Sequence, residues 1–420
     1  MYLRSCIKEL IMRVLITFFV VFLFAYHLKG QTCDTNSLVI HKVSASILDP
    51  TITPYELVRH HAFYNADCVP KNKLVFYIMG TYAQPNMSLL FTKTAANNGF
   101  HVISVNYPNN QSATSSCQDD LDANCYKFFH EEVLFGTDVS DTVQVDTANS
   151  IYTRSVHFLN HLASNYPSEN WSQFMNGNAI DWTKVIVAGH SQGAGHAAYL
   201  AHFYPVQRAI LMSGPNEYMN EHNSVASWFF EPSITADSNY YGFANIYDEV
   251  SFSNQLTTWG VLGANNYGDS VTVVNNGCPY NYSHMLYTNE LFSGGITPNH
   301  NCTAVDNFVP FGGNGVPEYE EAWKYMLGVC DVSTNMVSRD LNNDLSIYPT
   351  PADQTIMVRS NQPLTNVRLT ISNALGKIVW MDQQTSLRLQ QINVNDFSSG
   401  IYFITIDAKE MKETRKLIIQ

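Results

Sequence analysis

The chain has 420 residues, of which 45% are hydrophobic and 14% charged, and a formal net charge of −13. That length allows two domains, and the apolar fraction is enough for a large core, which excludes a disordered chain. The acidic balance is opposite in sign to a phosphate-tracking surface, so no nucleic acid partner is expected.

Residues 1–30 read as a signal peptide. Arg13 precedes the apolar run 14–24, and small or polar residues follow to Gly30. The run is too short for a membrane span, Met12 is an alternative start, and cleavage is expected near Gly30. Export predicts oxidised cysteines. Cys117 and Cys125 bracket a short polar loop and are expected to pair, Cys33 with Cys68 and Cys278 with Cys302 are further candidates, and Cys330 is left over. The sequence has no C-x-x-C pair and no H-E-x-x-H, so neither a metal nor a cofactor is expected.

Residues 31–330 carry the pattern of an α/β domain. After a leading strand and loops, the apolar run 73–79 is a buried strand, 87–98 a helix and 99–106 the next strand. That succession argues for a mostly parallel sheet with crossover helices. A cysteine-bearing loop fills 107–145, with a short helix near 126–133, and a helix covers 146–165. Strands are expected at 185–188, 208–213, 240–247 and 270–274. The segment 278–310 reads as irregular and 317–327 as a closing helix. Residues 331–344 are a polar linker. From 345 to 420 the pattern changes to short alternating strands at 355–359, 367–372, 377–380, 401–406 and 415–419, the signature of a small all-β sandwich.

The chemistry centres on Gly189, His190, Ser191, Gln192 and Gly193, a G-x-S-x-G between strand and helix. A sharp turn there would lift the Ser191 hydroxyl out of the sheet, and side chains at 189 and 193 would strike the neighbouring helix and strand. The Gln192 amide would face a developing oxyanion, with a second donor from the turn after 73–79, at Thr81 or Tyr82. A nucleophilic serine needs a base and an orienting carboxylate, in the chain order Ser, acid, His. Asp248 closes a strand and is the expected acid, with Asp237 and Glu249 as rivals. His284, which follows the strand at 270–274 after a nine-residue loop, is the expected base, ahead of His300, because fewer loop residues must be ordered to place it. His190 and His196 read as packing residues. The aromatics Trp171, Trp182, Phe229, Phe230 and Tyr240 could line an apolar cleft or pack the core.

From 73 to 328 these residues resemble the α/β-hydrolase superfamily, and in particular a group of secreted bacterial serine hydrolases. The likeness rests on the Gly80–Thr81 turn, V-N-Y-P at 105–108, the cysteines 117 and 125, A-G-H-S-Q-G-A-G-H-A at 188–197, and Ser283 with His284. Met79 stands where that group usually has proline. The tail resembles a type A C-terminal sorting domain of the type IX secretion system through Y-P-T-P at 348–351, N-A-L-G-K at 373–377, S-G-I-Y-F at 399–403 and K-L-I-I at 416–419, with Thr350 in a position usually held by asparagine. The resemblance implies ester hydrolysis by Ser191, His284 and Asp248 through an acyl-enzyme, and export to the outer-membrane surface by the type IX machinery. A lipase or polyester hydrolase and a peptidase are alternative uses of the same triad. A catalytically inactive surface binding protein is the alternative from another class.

Overall fold

The computed structural model describes residues 33–313, 315–330, 345–348, 351–352, 354–374, 376–409 and 412–419. The expected signal peptide at 1–30 and the linker expected at 331–344 lie outside the described residues. The chain divides into two compact units, residues 1–331 and 332–420.

The first unit is built on a nine-stranded sheet. Its strands are β1 (Leu38–Ser44), β2 (Arg59–Asn65), β3 (Leu74–Ile78), β4 (His101–Ser104), β5 (Val185–His190), β6 (Arg208–Met212), β7 (Tyr240–Asn245), β8 (Val271–Thr272) and β9 (Met285–Thr288). They lie in the order β1-β2-β4-β3-β5-β6-β7-β9-β8. β1 and β2 are antiparallel to their neighbours, and every adjacent pair from β4 to β8 is parallel. Every residue of β3, β4, β5 and β7 is buried, as a sheet covered on both faces requires. The flanking helices include α1 (Leu89–Ala96), α2 (Cys125–Phe135), α3 (Ile151–Asn165), α4 (Gln192–Phe203), α5 (Phe252–Val261), the four-residue α6 (Pro298–Asn301) and α7 (Glu320–Leu327). Strand order reverses between β3 and β5, and the carboxyl ends at such a reversal are where open α/β sheets bind ligands.

Three expectations change here. The strand expected at 270–274 shrinks to the two-residue edge strand β8. The strand that pairs with β7 is β9, inside the segment read as irregular. Its four residues, Met-Leu-Tyr-Thr, are too few to show a period, and only pairing with β7 marks them as strand. Among the cysteines, the bridges are Cys33–Cys68, Cys117–Cys125 and Cys278–Cys330, and Cys302 is a buried free thiol. Cys278 is taken by Cys330, and Cys302, which directly follows α6, has its Sγ 3.1 Å from the Asn299 carbonyl. Of the candidate cleft aromatics, Trp171, Trp182, Phe229 and Tyr240 belong to the core, while Phe230 is exposed.

The second unit is antiparallel throughout its named strands: β10 (Leu345–Tyr348), β11 (Thr355–Asn373), β12 (Ile378–Asn393), β13 (Gly400–Asp407) and β14 (Lys412–Ile419). The strands expected at 355–359 and 367–372 are two parts of β11. β10 pairs with its first part, β13 with its last, and a register shift falls between Arg359 and Leu364. Ile356, Val358, Leu369, Ile371, Ile404, Ile406 and Leu417 alternate into a shared core, as the period-2 pattern requires. The tail motifs have local reasons. Asn373 accepts the Lys377 amide through its side chain and closes the turn from β11 to β12. The Tyr402 hydroxyl donates to the Ser398 carbonyl.

Candidate active site

β5 delivers Ser191 in a strained backbone conformation, φ 57° and ψ −125°, the kind of outlier that a surrounding structure must enforce. The glycines on either side are what make it fit. A Cβ on Gly189 would overlap the Gly193 carbonyl at the start of α4, and one on Gly193 would overlap the Ile78 carbonyl of β3 and come within 2.6 Å of the Met79 oxygen. The Ser191 amide is tied to the Met212 carbonyl at the end of β6 (2.9 Å).

The turn after β3 lies directly against this serine: a Cβ built on Gly80 would stand 3.0 Å from Ser191 Cβ. Two side chains that the sequence reading assigned no role brace the turn. The Tyr107 hydroxyl donates to the Met79 carbonyl (2.6 Å), and Asn109 Nδ2 donates to the carbonyls of Gly80 and Ala83 (2.8 Å each). The Tyr82 amide donates to the Asn109 carbonyl (2.9 Å), so Tyr82 is not available as the second oxyanion donor. The amides of Thr81 and Gln192 make no hydrogen bond among the described residues. The Thr81 hydroxyl and the Ala113 amide both donate to Gln192 Oε1 (3.0 and 2.9 Å), which locks the turn to the residue after the serine.

Asp248 lies just past the end of β7, and its side chain is fully buried. Both of its oxygens lie 2.9 Å from His300 Nδ1, Gln255 Nε2 donates to Oδ2 (2.9 Å) and the Val250 amide to Oδ1 (2.8 Å). Burial raises its carboxyl, but the His300 bond and charge, with the Gln255 and Val250 donors, outweigh burial and leave it below the ordinary value. His190 Nε2 lies 3.0 Å from the His300 carbonyl, and the two rings are 5.0 Å apart. Burial pushes the His190 imidazole down to about 3, so it is a neutral donor to that carbonyl. The imidazole paired with Asp248 therefore comes from α6, and the His300 carbonyl is in contact with His190 of the elbow.

His284 is elsewhere. It precedes β9, at the N-terminal edge of the sheet, where its carbonyl accepts the Gly242 amide (2.8 Å) and its ring is sandwiched between Tyr241 (4.0 Å) and Tyr267 (4.2 Å). The register runs His190, Met212, Phe243, Leu286 across the sheet. His284 thus sits three residues below the level of Ser191 and three strands over, roughly 10 Å along and about 14 Å across. No side-chain rotation spans that. Burial and the charge of Arg208 hold its imidazole down to about 4. Asp237 accepts from Tyr267 and Asn266 and is likewise remote from the elbow, whereas Glu249 binds the backbone of α6. His196 bonds to His130 in the core beneath α4 (2.8 Å). Among the described residues no group of three or more His, Cys, Asp or Glu is placed to hold a metal ion.

Residues 346–420 match the family described as a secretion system C-terminal sorting domain. The chain therefore carries a type IX secretion sorting tail, which implies interaction with that machinery and a secreted or cell-surface location. Among solved structures, the chain is similar to a DUF3244 family protein with an immunoglobulin-like β-sandwich fold from Bacteroides vulgatus ATCC 8482, at 13% identity over 18% of this chain and 85% of that one, with a TM-score of 0.17. It is also similar to PorZ, an essential surface component of the type IX secretion system of Porphyromonas gingivalis, at 11% identity over 18% of this chain and 11% of that one, with a TM-score of 0.15. Overlaps this small carry no weight for the rest of the chain. No curated protein matches it.

Proposed function

We propose that the first unit is an α/β-hydrolase-type domain and the chain an exported serine hydrolase acting on carboxylic esters. The observation that carries this reading is the meeting, at one sheet edge, of a strained serine elbow and a buried Asp248–His300 pair. In the reaction, Ser191 Oγ attacks the ester carbonyl while His300 Nε2 takes its proton, and the carbonyl electrons move onto an oxyanion that the amides of Gln192 and Thr81 bind. Collapse expels the alcohol, which leaves with the proton from His300, and an acyl-enzyme remains. Water, deprotonated by the same imidazole, then releases the acid and restores the serine. Asp248 holds the ring tautomer and stabilises the imidazolium. The tail would route the protein through the periplasm to the outer-membrane surface, where it is removed or exchanged for an anchor.

Treatment with a fluorophosphonate probe followed by peptide mapping tests the assignment. Labelling is expected at Ser191, with p-nitrophenyl ester turnover lost in Ser191→Ala. Undiminished turnover by that variant would reject the nucleophile, and an unlabelled wild type would favour a surface binding protein that retains the fold without the activity.

A further inference from the structure

His300 is held at three points. Asp248 takes the ring through Nδ1, His190 holds the backbone carbonyl, and Glu249 Oε2 accepts the His300 backbone N–H at 2.8 Å. The other oxygen of Glu249 accepts from the backbone N–H of Asn299 (3.1 Å) and from its side-chain amide (2.8 Å). The first turn of a helix has no intrahelical acceptors for its amides, and Thr297, the residue before α6, makes no side-chain cap. Glu249 supplies those acceptors from a different strand end. Asn299 extends the hold: its Oδ1 accepts the Phe292 amide at 2.8 Å, which ties down the loop between β9 and α6.

Asp248 and Glu249 are consecutive, so one turn after β7 sets both the ring orientation of His300 and the place of its backbone. We propose that Glu249 is a positioning residue for the Ser191 site, fixing where His300 Nε2 stands by holding the backbone of α6; this rests on the serine-hydrolase reading above. Burial raises the Glu249 carboxyl, but its backbone and Asn299 hydrogen bonds outweigh burial and keep it below the ordinary value. The carboxylate therefore stays charged at neutral pH. Glu249 is itself exposed, so truncating it removes these contacts without opening a cavity in the core.

The test compares Glu249→Ala and Glu249→Gln with wild type in the full chain. Five quantities are measured: kcat and KM for p-nitrophenyl butyrate, the pH profile of kcat/KM, the thermal midpoint, and the downfield proton resonance of the Asp248–His300 bond, assigned by its loss in Asp248→Asn. Sub-ångström drift of a base is expected to lower kcat by about 10- to 100-fold. In Glu249→Ala, KM should stay within about twofold, the acid limb of the profile should move, and the resonance should broaden. Glu249→Gln keeps one acceptor oxygen and should recover part of the loss. Unchanged kcat, profile and resonance in Glu249→Ala would overturn the proposal, as would a loss of activity that merely tracks a fallen thermal midpoint. The resonance requires no turnover, so it reads the Glu249 contact even where a failure of Ser191 to label has already rejected the serine reading.

Discussion

An imidazole serves a serine only when one ring nitrogen faces the hydroxyl and the other is held by an acceptor that fixes the tautomer. His300 meets the second condition through the buried Asp248 carboxylate, whereas the His284 ring is stacked between two tyrosines and has no carboxylate bonded to it among the described residues. His300→Ala and Asp248→Asn should therefore each lower kcat/KM for ester hydrolysis by about 10³–10⁴-fold. His284→Ala should leave turnover near wild type while lowering the thermal midpoint. The reverse ranking in a three-variant assay would return the base to His284. The places of Ser191 and Asp248 at strand ends were legible in the sequence because each follows an apolar run that reads as a strand. Which of two histidines pairs with Asp248 was not, since the argument from the shorter loop assumed that His284 left the carboxyl end of a strand, when it precedes one.

At the scale of elements, the strand–turn–helix around Ser191 is a steric device. Gly193→Ala would press a methyl group into the carbonyls of Ile78 and Met79. Either α4 moves off β3 or the elbow opens, so a stability loss of roughly 1–3 kcal/mol is expected, together with a fall in esterase activity. Gly313→Ala, where a Cβ meets nothing within 4 Å, is the matched control. Equal urea midpoints for the two variants would contradict the packing argument. Cys302 is an element-scale consequence of α6: burial pushes its thiol up to about 12. Iodoacetamide should spare the Cys302 peptide in the folded protein and label it after unfolding, and rapid labelling of the native state would count against this placement. The elbow was readable because its glycines, strand and helix lie within twenty residues of one another. β9 was not readable, because a four-residue strand declares itself only through its neighbours.

At the scale of the whole molecule, buried neutral histidines couple stability to pH. Burial, with the charges of Arg154 and His61, holds His60 down to about 3, and burial holds His190 to the same value. In the unfolded chain both would titrate near 6.5. Above that pH neither state binds the proton and there is no linkage. As pH falls from about 6.5 toward 3, only the unfolded state takes it up, so stability falls by up to about 1.4 kcal/mol per pH unit for each group. Thermal midpoints measured from pH 8 to pH 4.5 should be flat at first and decline below about 6.5. A midpoint that holds level down to pH 5 would show that these imidazoles do not titrate in this way. The tail adds a second whole-molecule property: deleting 346–420 should abolish delivery to the medium or cell surface while leaving Ser191 chemistry intact, as read by fractionation and ester turnover.

From the sequence alone, the order of strands and helices through the elbow, the positions of Ser191 and Asp248 at strand ends and the sorting tail could be determined, because each depends on residues close together in the chain. Tertiary structure decided which imidazole pairs with Asp248, which amides of the turn after β3 are left without a bond among the described residues, and the partner of Cys278. Each of those is a question of which distant segment arrives at a given place, and arrival is settled by strand pairing and packing across the sheet, which no local pattern encodes.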